Sequence, residues 1–350
     1  MSDTIAVRPD EHFDEAHLAH YLHDKLDGAN APLTVEQFGG GAANLTYLLD
    51  YGTHEYVLRR PPLGPVAPSA HDMAREYRVL SVLYQAFSLA PRAFVFCDDA
   101  SVIGAPFFVM ERKHGLVVRR SILPEYAAIA DAPRRMSEAL VDALAAFHAV
   151  DYHALGLESL GKPAGFIERQ VEGWYGRWHN ARTQILPQME TVYGWLRENV
   201  PPAGAPTLVH NDYKLDNVML AADDPGKIVA IFDWDMCTLG DPLADLGALL
   251  TYWIEPEDAP YLQMTAMMPV GDKRFMTRAE IIERYAEKSG RDVSHIRFYH
   301  ALGLYRLVVI CAQIYVRYER GQTKDARFEA FGQMMPLLAQ AAQDVAEGKN

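Results

Sequence analysis

The first third of the chain alternates short apolar runs with turn residues. Runs of this β type, bounded by Gly, Pro, Asn and Asp, are typical of strands. After a short helical pattern within residues 1–32, three runs predict an antiparallel meander and two later runs predict further strands of the same sheet: 33–38, 45–50, 55–59, 92–96 and 106–110. From Met73 to Phe87, apolar residues fall at spacings of four and three, as on one face of a helix.

From about residue 115 onward, long helical patterns replace the strands. One pattern places its apolar residues on a single helix face: Met136, Leu140, Leu144 and Phe147. Residues 166–199 predict a mostly helical segment that is kinked at Pro187. The most apolar stretch, 301–316, is interrupted by Arg306 and Gln313 and is too short to span a bilayer. It therefore predicts a buried core helix.

The helical half also contains a pair of strand patterns at 218–220 and 228–232, joined by a loop over 221–227. A small antiparallel β-sheet lobe followed by a larger, mainly helical lobe is an α+β fold with two lobes. The cleft between two such lobes is the expected ligand site. We therefore divide the chain into a lead-in segment, an N-lobe and a C-lobe: 1–32, 33–112 and 113–350.

The net charge of −13 over 350 residues argues against broad nucleic-acid binding, which needs Lys and Arg to displace counterions from phosphates. It does not argue against a nucleotide substrate, because Mg²⁺ and a few local cations can hold a polyphosphate in an acidic protein. Cys97, Cys237 and Cys311 are far apart and form no disulfide or zinc pattern. With no signal-peptide pattern at the N-terminus, the sequence predicts a cytoplasmic protein that does not bind membranes.

One loop carries most of the candidate chemistry. The sequence His-Asn-Asp-Tyr-Lys-Leu-Asp-Asn at 210–217 places Asp212, Lys214 and Asn217 before a predicted strand, and the returning strand ends at Asp233. Asp212 can orient a substrate hydroxyl, and Asn217 and Asp233 offer the oxygen ligands that Mg²⁺ prefers. Together these groups predict the transfer of a phosphoryl group from a nucleotide held by Mg²⁺.

Two features of the first lobe allow either a nucleotide-binding or a structural interpretation. The turn formed by Gly39, Gly40 and Gly41 can bring backbone N–H groups close to phosphate oxygens, but hairpin turns are often rich in glycine for conformational reasons alone. Met110 and Arg112 stand in a segment between the lobes whose backbone groups could bind an adenine edge. A plain linker would have the same sequence character.

Arg59 ends the third predicted strand, and Glu76 lies on the first turns of the helix that follows. A cation on a strand, locked by a carboxylate from a facing helix, can hold the α- and β-phosphates of a nucleotide. The alternative is a surface ion pair, worth about 0–1 kcal/mol. Arg60 is expected to point to the opposite face of the strand.

Several polar and aromatic residues near the loop favour structural roles. His210 is expected to support the loop as a hydrogen-bonded histidine, and Asp241 to cap a helix whose first turns contain Asp245. Asp235 is a candidate ligand of a second metal ion, or a side chain that supports the ligands of the first. Three tryptophans could line an apolar pocket, although a place in the core is the usual outcome: Trp174, Trp178 and Trp253.

The loop at 210–217 resembles the catalytic loop of the aminoglycoside phosphotransferase family, part of the protein-kinase-like group. The run Ile-Phe-Asp-Trp-Asp at 231–235 resembles its metal-binding segment, and the match in order and spacing extends over roughly residues 33–250. The runs Tyr-Val-Leu-Arg-Arg-Pro-Pro at 56–62 and Pro-Ser-Ala-His at 68–71 resemble the branch that is also fused to acyl-CoA dehydrogenase domains.

This resemblance implies a protein-kinase-like two-lobe fold with a nucleotide-binding N-lobe. It implies an ATP- and Mg²⁺-dependent kinase that phosphorylates a hydroxyl of a small molecule. Asp212 would be the catalytic base, Lys214 would neutralise the transferred phosphoryl group, and Asn217 and Asp233 would bind Mg²⁺. The branch suggests a hydroxylated acyl compound as the acceptor, whereas the family name suggests an aminoglycoside.

Two residues depart from the family pattern. Arg59 takes the position of a lysine paired with Glu76, and Arg and Lys are not interchangeable at a phosphate site. Asn211 replaces the glycine that is common after the histidine. Because neither change removes a metal ligand or the base, we expect an active enzyme. The alternative is a nucleotide-binding regulatory module with little or no catalysis.

Overall fold

The computed structural model describes the following residues: 3–39, 44–63, 72–322 and 326–349. The chain divides into two compact units. The sheet unit comprises Met1–His114 and Val229–Cys237, and the helical unit comprises Gly115–Ile228 and Thr238–Asn350. The predicted lead-in segment and N-lobe thus fall in one unit. Segment 229–237, which the sequence placed with the C-lobe, groups with the sheet unit.

The sheet unit is built on one antiparallel sheet. Its elements are β1 (Thr4–Ile5), α1 (Glu15–Leu22), β2 (Thr34–Phe38), β3 (Leu45–Asp50), β4 (Glu55–Arg60), α2 (Met73–Leu83), β5 (Ala93–Cys97) and β6 (Phe107–Glu111). The strand order is β1-β2-β3-β4-β6-β5, and the predicted meander is confirmed by the pairing of β2 with β3 and of β3 with β4. Strand β1 was not predicted, because two residues are too short for a periodic pattern.

Helix α1 packs into the core of this unit. Leu18 and Leu22 are fully buried, and they share one apolar cluster with Leu49 and Leu58 of the sheet. Burial of leucine side chains at this level contributes about 1.5–3 kcal/mol each. The residues before β2 therefore stabilise the sheet.

Arg60 ties the chain before α1 to the sheet. Its guanidinium donates hydrogen bonds to the carbonyl of Glu11 (2.7 Å), the hydroxyl of Tyr47 (2.9 Å) and the carbonyl of Ile103 (3.1 Å). The residue is 2% exposed. Arg60 thus points away from the partners of Arg59, as predicted, and donates to three acceptors, of which those of Tyr47 and Ile103 are in buried hydrogen bonds.

We expect Arg60→Met to lower the free energy of unfolding by about 1–3 kcal/mol, because methionine fills the space of the arginine stem but makes none of the three hydrogen bonds of the guanidinium. Thermal unfolding followed by circular dichroism measures the loss. The control is Arg197→Met, at an exposed arginine paired with Glu172, which should change stability by less than about 0.5 kcal/mol. Equal effects of the two substitutions would contradict the role given to Arg60.

The helical unit contains long helices and short strands. Its elements are β7 (Leu116–Val117), α3 (Pro124–Ala127), α4 (Ala132–His148), α5 (Phe166–Ala181), α6 (Pro187–Glu198), β8 (Thr207–Val209), β9 (Val218–Ala221), β10 (Asp224–Ile231), β11 (Thr238–Gly240), α7 (Leu243–Tyr252), α8 (Pro260–Gln263), α9 (Arg278–Ser289), α10 (Ile296–Glu319) and α11 (Glu329–Ala346). The apolar face predicted for α4 is buried. The α+β fold class is confirmed.

The segment predicted as one kinked helix consists of two helices. Helix α5 ends at Ala181, residues 182–186 connect the two, and Pro187 is the first residue of α6. The first N–H of a helix has no intrahelical acceptor, so proline is well tolerated there. The prediction of a kink was therefore wrong, because Pro187 starts a helix.

The hairpin of β9 and β10 is tighter than predicted. Strand β9 ends at Ala221 and β10 begins at Asp224, so most of the predicted loop belongs to the returning strand. Pro225 and Gly226 suggested a turn, but β10 is an edge strand of its sheet, where proline is tolerated. The last residues of β10, from Val229 onward, belong to the sheet unit.

Helix α10 is the core helix predicted for 301–316, extended at both ends. Among the described residues it is the helix that is long and apolar enough to cross a membrane, but 61% of its apolar window is buried, as in the core helix of a globular protein. Two glycines bring α10 close to α7. A Cβ on Gly303 would lie 2.8 Å from the carbonyl of Gly247, so any larger residue there would push the helices apart.

Candidate functional site

The predicted catalytic residues of the loop at 210–217 lie together in the helical unit. The side-chain amide of Asn217 donates hydrogen bonds to the carbonyl (2.8 Å) and to Oδ2 (2.9 Å) of Asp212. Lys214 Nζ contacts the same carboxylate oxygen and lies 3.7 Å from Asp216 Oδ1. An amide and an ammonium group thus hold the Asp212 carboxylate in one orientation.

Lys214 keeps its charge although it is largely buried. Burial lowers the pKa of its ammonium group, but the negative charges around it, led by Asp212, raise the pKa by more. Burial raises the pKa of Asp216, and the charge of Lys214 opposes that rise. The loop therefore presents a charged cation beside Asp212 at neutral pH.

Asp245, on the first turn of α7, supports the loop from the protein interior. Its Oδ2 accepts a hydrogen bond from the backbone N–H of His210 (2.6 Å), and its Oδ1 accepts one from that of Asn211 (2.7 Å). His148 Nε2 lies 3.2 Å from Oδ2, and His148 Nδ1 lies 2.7 Å from the hydroxyl of Tyr285. Burial opposes ionisation of Asp245, but the bonds and charge of the histidines outweigh it and lower the pKa.

His210 and Asn211 complete the bonding of the loop. His210 is fully buried, and its Nδ1 accepts a hydrogen bond from the backbone N–H of Asp212 (3.2 Å), so its predicted structural role is confirmed. Asn211 has a φ of 64°, and its carbonyl accepts a hydrogen bond from Arg306. Glycine and asparagine tolerate this left-handed region better than other residues, which explains how Asn211 replaces a glycine.

We expect Asn211→Gly to change stability by less than about 0.5 kcal/mol, whereas Asn211→Val should cost about 1–3 kcal/mol, because a β-branched residue is strained at positive φ. Chemical denaturation of both variants measures the difference. Asn180→Val, on the exposed side of α5, controls for the change of side chain. Similar stabilities for the two variants at 211 would show that the left-handed backbone is not retained.

The sheet unit holds a second group of predicted site residues. Arg59 Nη1 lies 3.1 Å from Glu76 Oε1, and Arg59 Nη2 lies 2.7 Å from Asp233 Oδ1. The side chains of Arg59 and Glu76 are 9% and 1% exposed, so the predicted pair is present and is not a surface ion pair. Burial lowers the pKa of Arg59, but the carboxylates of Glu76 and Asp233 raise it by more.

Segment 229–237 brings Asp233 to Arg59 by returning to helix α2. Trp234 packs edge-on against Phe87, with ring centroids 6.4 Å apart, and Arg75 donates a 2.8 Å hydrogen bond to the carbonyl of Cys237. Asp233 itself has a φ of 69°. Non-glycine residues with a left-handed backbone conformation are concentrated at functional sites, where surrounding contacts hold them in that conformation.

Three acidic side chains act on the guanidinium of Arg59: Glu76, Asp233 and Asp235. Burial raises the pKa of Glu76 to about 8; the charge of Arg59 opposes this rise, and those of Asp233 and Asp235 add to it. A further cation near Asp233 would relieve their repulsion, and oxygen ligands suit a hard ion such as Mg²⁺.

Among the described residues, no three or more His, Cys, Asp or Glu side chains form a metal-binding group. The predicted pair of ligands consists of one amide, Asn217, and one carboxylate, Asp233. Asn217 belongs to the helical unit and Asp233 to the sheet unit. That the two side chains converge on one metal ion remains a prediction.

The remaining predicted nucleotide contacts have mixed outcomes. Gly40 and Gly41 lie outside the described residues, and Gly39 directly follows β2. Met110 lies within β6, opposite Val57 of β4, so it is part of the sheet and not of a connector. The phosphate-binding role of the glycines and the adenine-binding role of Met110 remain predictions.

Arg112 directly follows β6, and its side chain contacts other parts of the sheet unit. Its guanidinium lies 2.7 Å from Asp3 Oδ2 and 4.6 Å from the ring centroid of Phe38. These contacts fix the side chain, whereas the predicted nucleotide contact would involve the backbone. That contact also remains a prediction.

Three residues that support the loop were not identified from the sequence: His148, Tyr285 and Arg306. His148 and Tyr285 are distant from the loop in the chain, so no local spacing indicated their contact with Asp245. For Arg306 a signal existed, since this arginine interrupts an otherwise apolar helix. The three tryptophans considered as pocket residues are buried, which confirms the structural interpretation.

Comparison with known proteins gives consistent results. The model of the phosphotransferase enzyme family matches residues 34–274. Acyl-CoA dehydrogenase family member 11 of Rattus norvegicus is 32% identical over 97% of this chain and 44% of its own length. Acyl-CoA dehydrogenase family member 10 of Mus musculus is 32% identical over 99% of this chain and 32% of its own length. The chain thus spans less than half the length of these curated relatives.

Solved structures share the fold. A crystal structure provisionally assigned as an aminoglycoside phosphotransferase of Ralstonia eutropha has 29% identity and a TM-score of 0.81, covering 96% of this chain and 99% of that one. A thermostable mutant of aminoglycoside phosphotransferase APH(4)-Ia, in complex with AMP-PNP and hygromycin B, has 19% identity and a TM-score of 0.59, covering 95% and 99%. The second likeness concerns the fold alone. The resemblance indicated by the loop at 210–217 is confirmed, and the chain belongs to the phosphotransferase enzyme family.

Proposed function

We propose that this chain is an ATP- and Mg²⁺-dependent kinase that transfers the γ-phosphoryl group to a hydroxyl of a small molecule. The observation that carries the proposal is the arrangement of Asp212, Lys214 and Asn217, in which an amide and an ammonium group orient one carboxylate. Phosphoryl transfer needs little covalent chemistry from the protein, and it depends on positioning and on neutralising charge. This loop provides groups for both.

In this proposal Asp212 accepts a hydrogen bond from the acceptor hydroxyl and receives its proton. Lys214 places a positive charge beside the transferred group. Holding the hydroxyl in line with the phosphorus converts a bimolecular encounter into an oriented one, which accounts for much of the rate of such enzymes. The buried bonds of Asp245 to the loop support this positioning.

Arg59 would bind the nucleotide phosphates while Glu76 fixes its orientation. Asn217 and Asp233 would hold Mg²⁺, which when bound neutralises charge on the phosphates. The carboxylates of Asp233 and Asp235 help to raise the pKa of Glu76, and this mutual repulsion of acidic groups supports a cation at this place. Arginine offers a planar fork where the family has a lysine, and such a fork suits two phosphate oxygens at once.

For the acceptor we propose a hydroxylated acyl compound. The support comes from the curated relatives, which are named as acyl-CoA dehydrogenase family members and are similar over nearly the whole of this chain. A kinase domain beside a domain for acyl compounds would act on related molecules. Aminoglycosides are the competing acceptor class, suggested by the names of the solved structures.

A panel assay of ADP release tests the proposal. Purified protein is incubated with ATP and with hydroxylated acyl compounds, aminoglycosides or no acceptor, each with Mg²⁺ and with EDTA. We expect acceptor-dependent ADP release that requires Mg²⁺ and is stronger for acyl compounds. Tight ATP binding without release for any acceptor would favour the regulatory module instead.

A further inference from the structure

Helix α2 holds the segment that carries Asp233 at the C-terminal end of that segment. Arg75, on the first turn of α2, donates two hydrogen bonds to the carbonyl of Cys237, one from Nε (3.1 Å) and one from Nη2 (2.8 Å). Both residues belong to the sheet unit. Because the guanidinium is planar and rigid, two donors on one oxygen fix the carbonyl more firmly than a single bond would.

The next residue of α2 contacts the other end of the same turn. Residues 234–236 form a short 3₁₀ turn, which is closed by a 3.0 Å hydrogen bond from the N–H of Cys237 to the carbonyl of Trp234. Glu76 Oε1 accepts a 3.4 Å hydrogen bond from the backbone N–H of Trp234. Arg75 and Glu76 thus contact the last carbonyl and the first N–H of this turn.

Asp233 lies between this turn and a second fixed point. The N–H of Ile231 donates a 2.8 Å hydrogen bond to the carbonyl of Leu89, and the carbonyl of Ile231 accepts one of 2.7 Å from the indole N–H of Trp234. The backbone of Asp233 is left-handed, with a φ of 69°. A residue keeps so unfavourable a conformation only while its surroundings hold it, so the conformation of Asp233 depends on the anchors on both of its sides.

We propose that Arg75 is a positioning residue for the carboxylate of Asp233. By holding the carbonyl of Cys237 against α2, Arg75 keeps the turn in place, and the turn keeps Asp233 in the conformation that brings its Oδ1 to 2.7 Å from Arg59 Nη2. The inference rests on the proposed kinase function, in which Asp233 holds Mg²⁺. Arg75 acts in it through the backbone of the turn.

The alternative is that Arg75, which is half-buried, contributes to the stability of the sheet unit alone. The two roles differ in the nucleotide complex that they affect. A displaced Asp233 weakens the binding of a nucleotide with Mg²⁺ and leaves the binding of the free nucleotide unchanged, because this carboxylate holds the ion. A general loss of order in the sheet unit weakens both complexes equally.

Calorimetric binding of ADP, with Mg²⁺ and with EDTA, separates these roles. It is measured for the wild type, Arg75→Met, Arg75→Lys and the control Arg92→Met. Arg92 is an exposed arginine of the same unit, and its guanidinium lies 5.1 Å and 4.9 Å from the ring centroids of Tyr84 and Phe94. The control therefore removes a guanidinium that does not contact the turn.

We expect a loss that depends on the metal ion. Groups that orient metal ligands typically contribute about 10- to 100-fold to metal affinity, so Arg75→Met, which acts one step further away, should lower the affinity for ADP by roughly 10-fold more in Mg²⁺ than in EDTA. Arg75→Lys should give an intermediate loss, because an ammonium group can keep one bond to the carbonyl, and Arg92→Met should give none. Hydrogen exchange gives a second readout without ligand: amides of residues 231–237 should exchange faster in Arg75→Met relative to the rest of the sheet unit.

Equal losses of ADP affinity with Mg²⁺ and with EDTA would overturn the proposal, since Arg75 would then support the sheet unit alone. Unchanged affinity in Arg75→Met, or a wild-type affinity that does not depend on Mg²⁺, would also overturn it. Binding of ADP that requires both Mg²⁺ and Arg75, without transfer to any hydroxyl, would contradict the kinase function but not the role of Arg75. Transfer by Arg75→Met with the KM of the wild type for ATP would contradict the role of Arg75 but not the kinase function.

Discussion

The Asp212→Asn variant is expected to transfer phosphoryl groups about 10²–10⁴-fold more slowly than the wild type while it binds ATP with nearly unchanged affinity. Asparagine has the shape of aspartate and can still accept the hydrogen bond from Asn217, so the loop should keep its form. It cannot accept a proton from the hydroxyl, and it leaves Lys214 without its main counter-charge. Steady-state ADP release gives kcat, and calorimetry gives the affinity for ATP.

Asp216→Asn provides a matched control for this prediction. Its carboxylate lies in the same loop and faces the same ammonium group, 3.7 Å from Lys214 Nζ, but it is not the oriented carboxylate. We expect a far smaller effect on kcat than for Asp212→Asn. Wild-type turnover in Asp212→Asn, or equal losses in the two variants, would show that Asp212 is not the base.

Asp245→Asn is expected to reduce both stability and turnover. Two backbone N–H groups and His148 converge on this fully buried carboxylate, and asparagine would turn an amide donor toward one of them. Breaking a buried charged interaction of this kind costs about 3–5 kcal/mol. Chemical denaturation measures the loss of stability, and kcat at saturating ATP measures the loss of positioning in the loop.

The pH dependence of stability gives an independent test of Asp245. Its pKa is lowered in the folded protein, so its contribution is present above the pKa of an unfolded aspartate, about 3.9, and is lost as the pH falls through the folded value. Stability of the wild type should therefore fall more steeply in this acidic range than that of Asp245→Asn. Parallel pH curves would contradict the lowered pKa.

Asp241→Asn is the control for Asp245→Asn, because Asp241 lies just before the same helix. Its carboxylate accepts hydrogen bonds from the backbone N–H of Leu243 (3.0 Å) and the hydroxyl of Tyr299 (2.7 Å), and neither partner belongs to the loop at 210–217. Asparagine can keep both bonds if its oxygen and nitrogen are suitably placed. We expect a loss of stability of about 1 kcal/mol and no comparable loss of kcat.

The candidate site was predictable where its residues are close in sequence. Asp212, Lys214 and Asn217 lie within one loop, and their mutual contacts follow from that spacing. The pairing of Arg59 with Glu76 was also predictable, because the two residues lie on a strand and on the next helix along the chain. The contact of His148 with Asp245 was not, since packing of distant helices decides it.

The fold was predictable where a pattern extends over several turns or strands. The meander β2–β3–β4 and the apolar face of α4 are of this kind. Pro187 misled the prediction because proline has different effects at the start and in the interior of a helix. The return of segment 229–237 to α2 depends on contacts of Trp234 and Cys237, which no local pattern indicates.

Direct detection of the product tests the central claim, that this chain phosphorylates a hydroxyl. The protein is incubated with Mg²⁺, ATP labelled in the γ-phosphoryl group and a hydroxylated acyl compound, and the acceptor is analysed by mass spectrometry and ³¹P NMR. We predict a phosphate monoester on the hydroxyl that carries the label, formed by the wild type and not by Asp212→Asn. Label found in inorganic phosphate or on the protein, with no ester on any hydroxylated acceptor, would contradict the account.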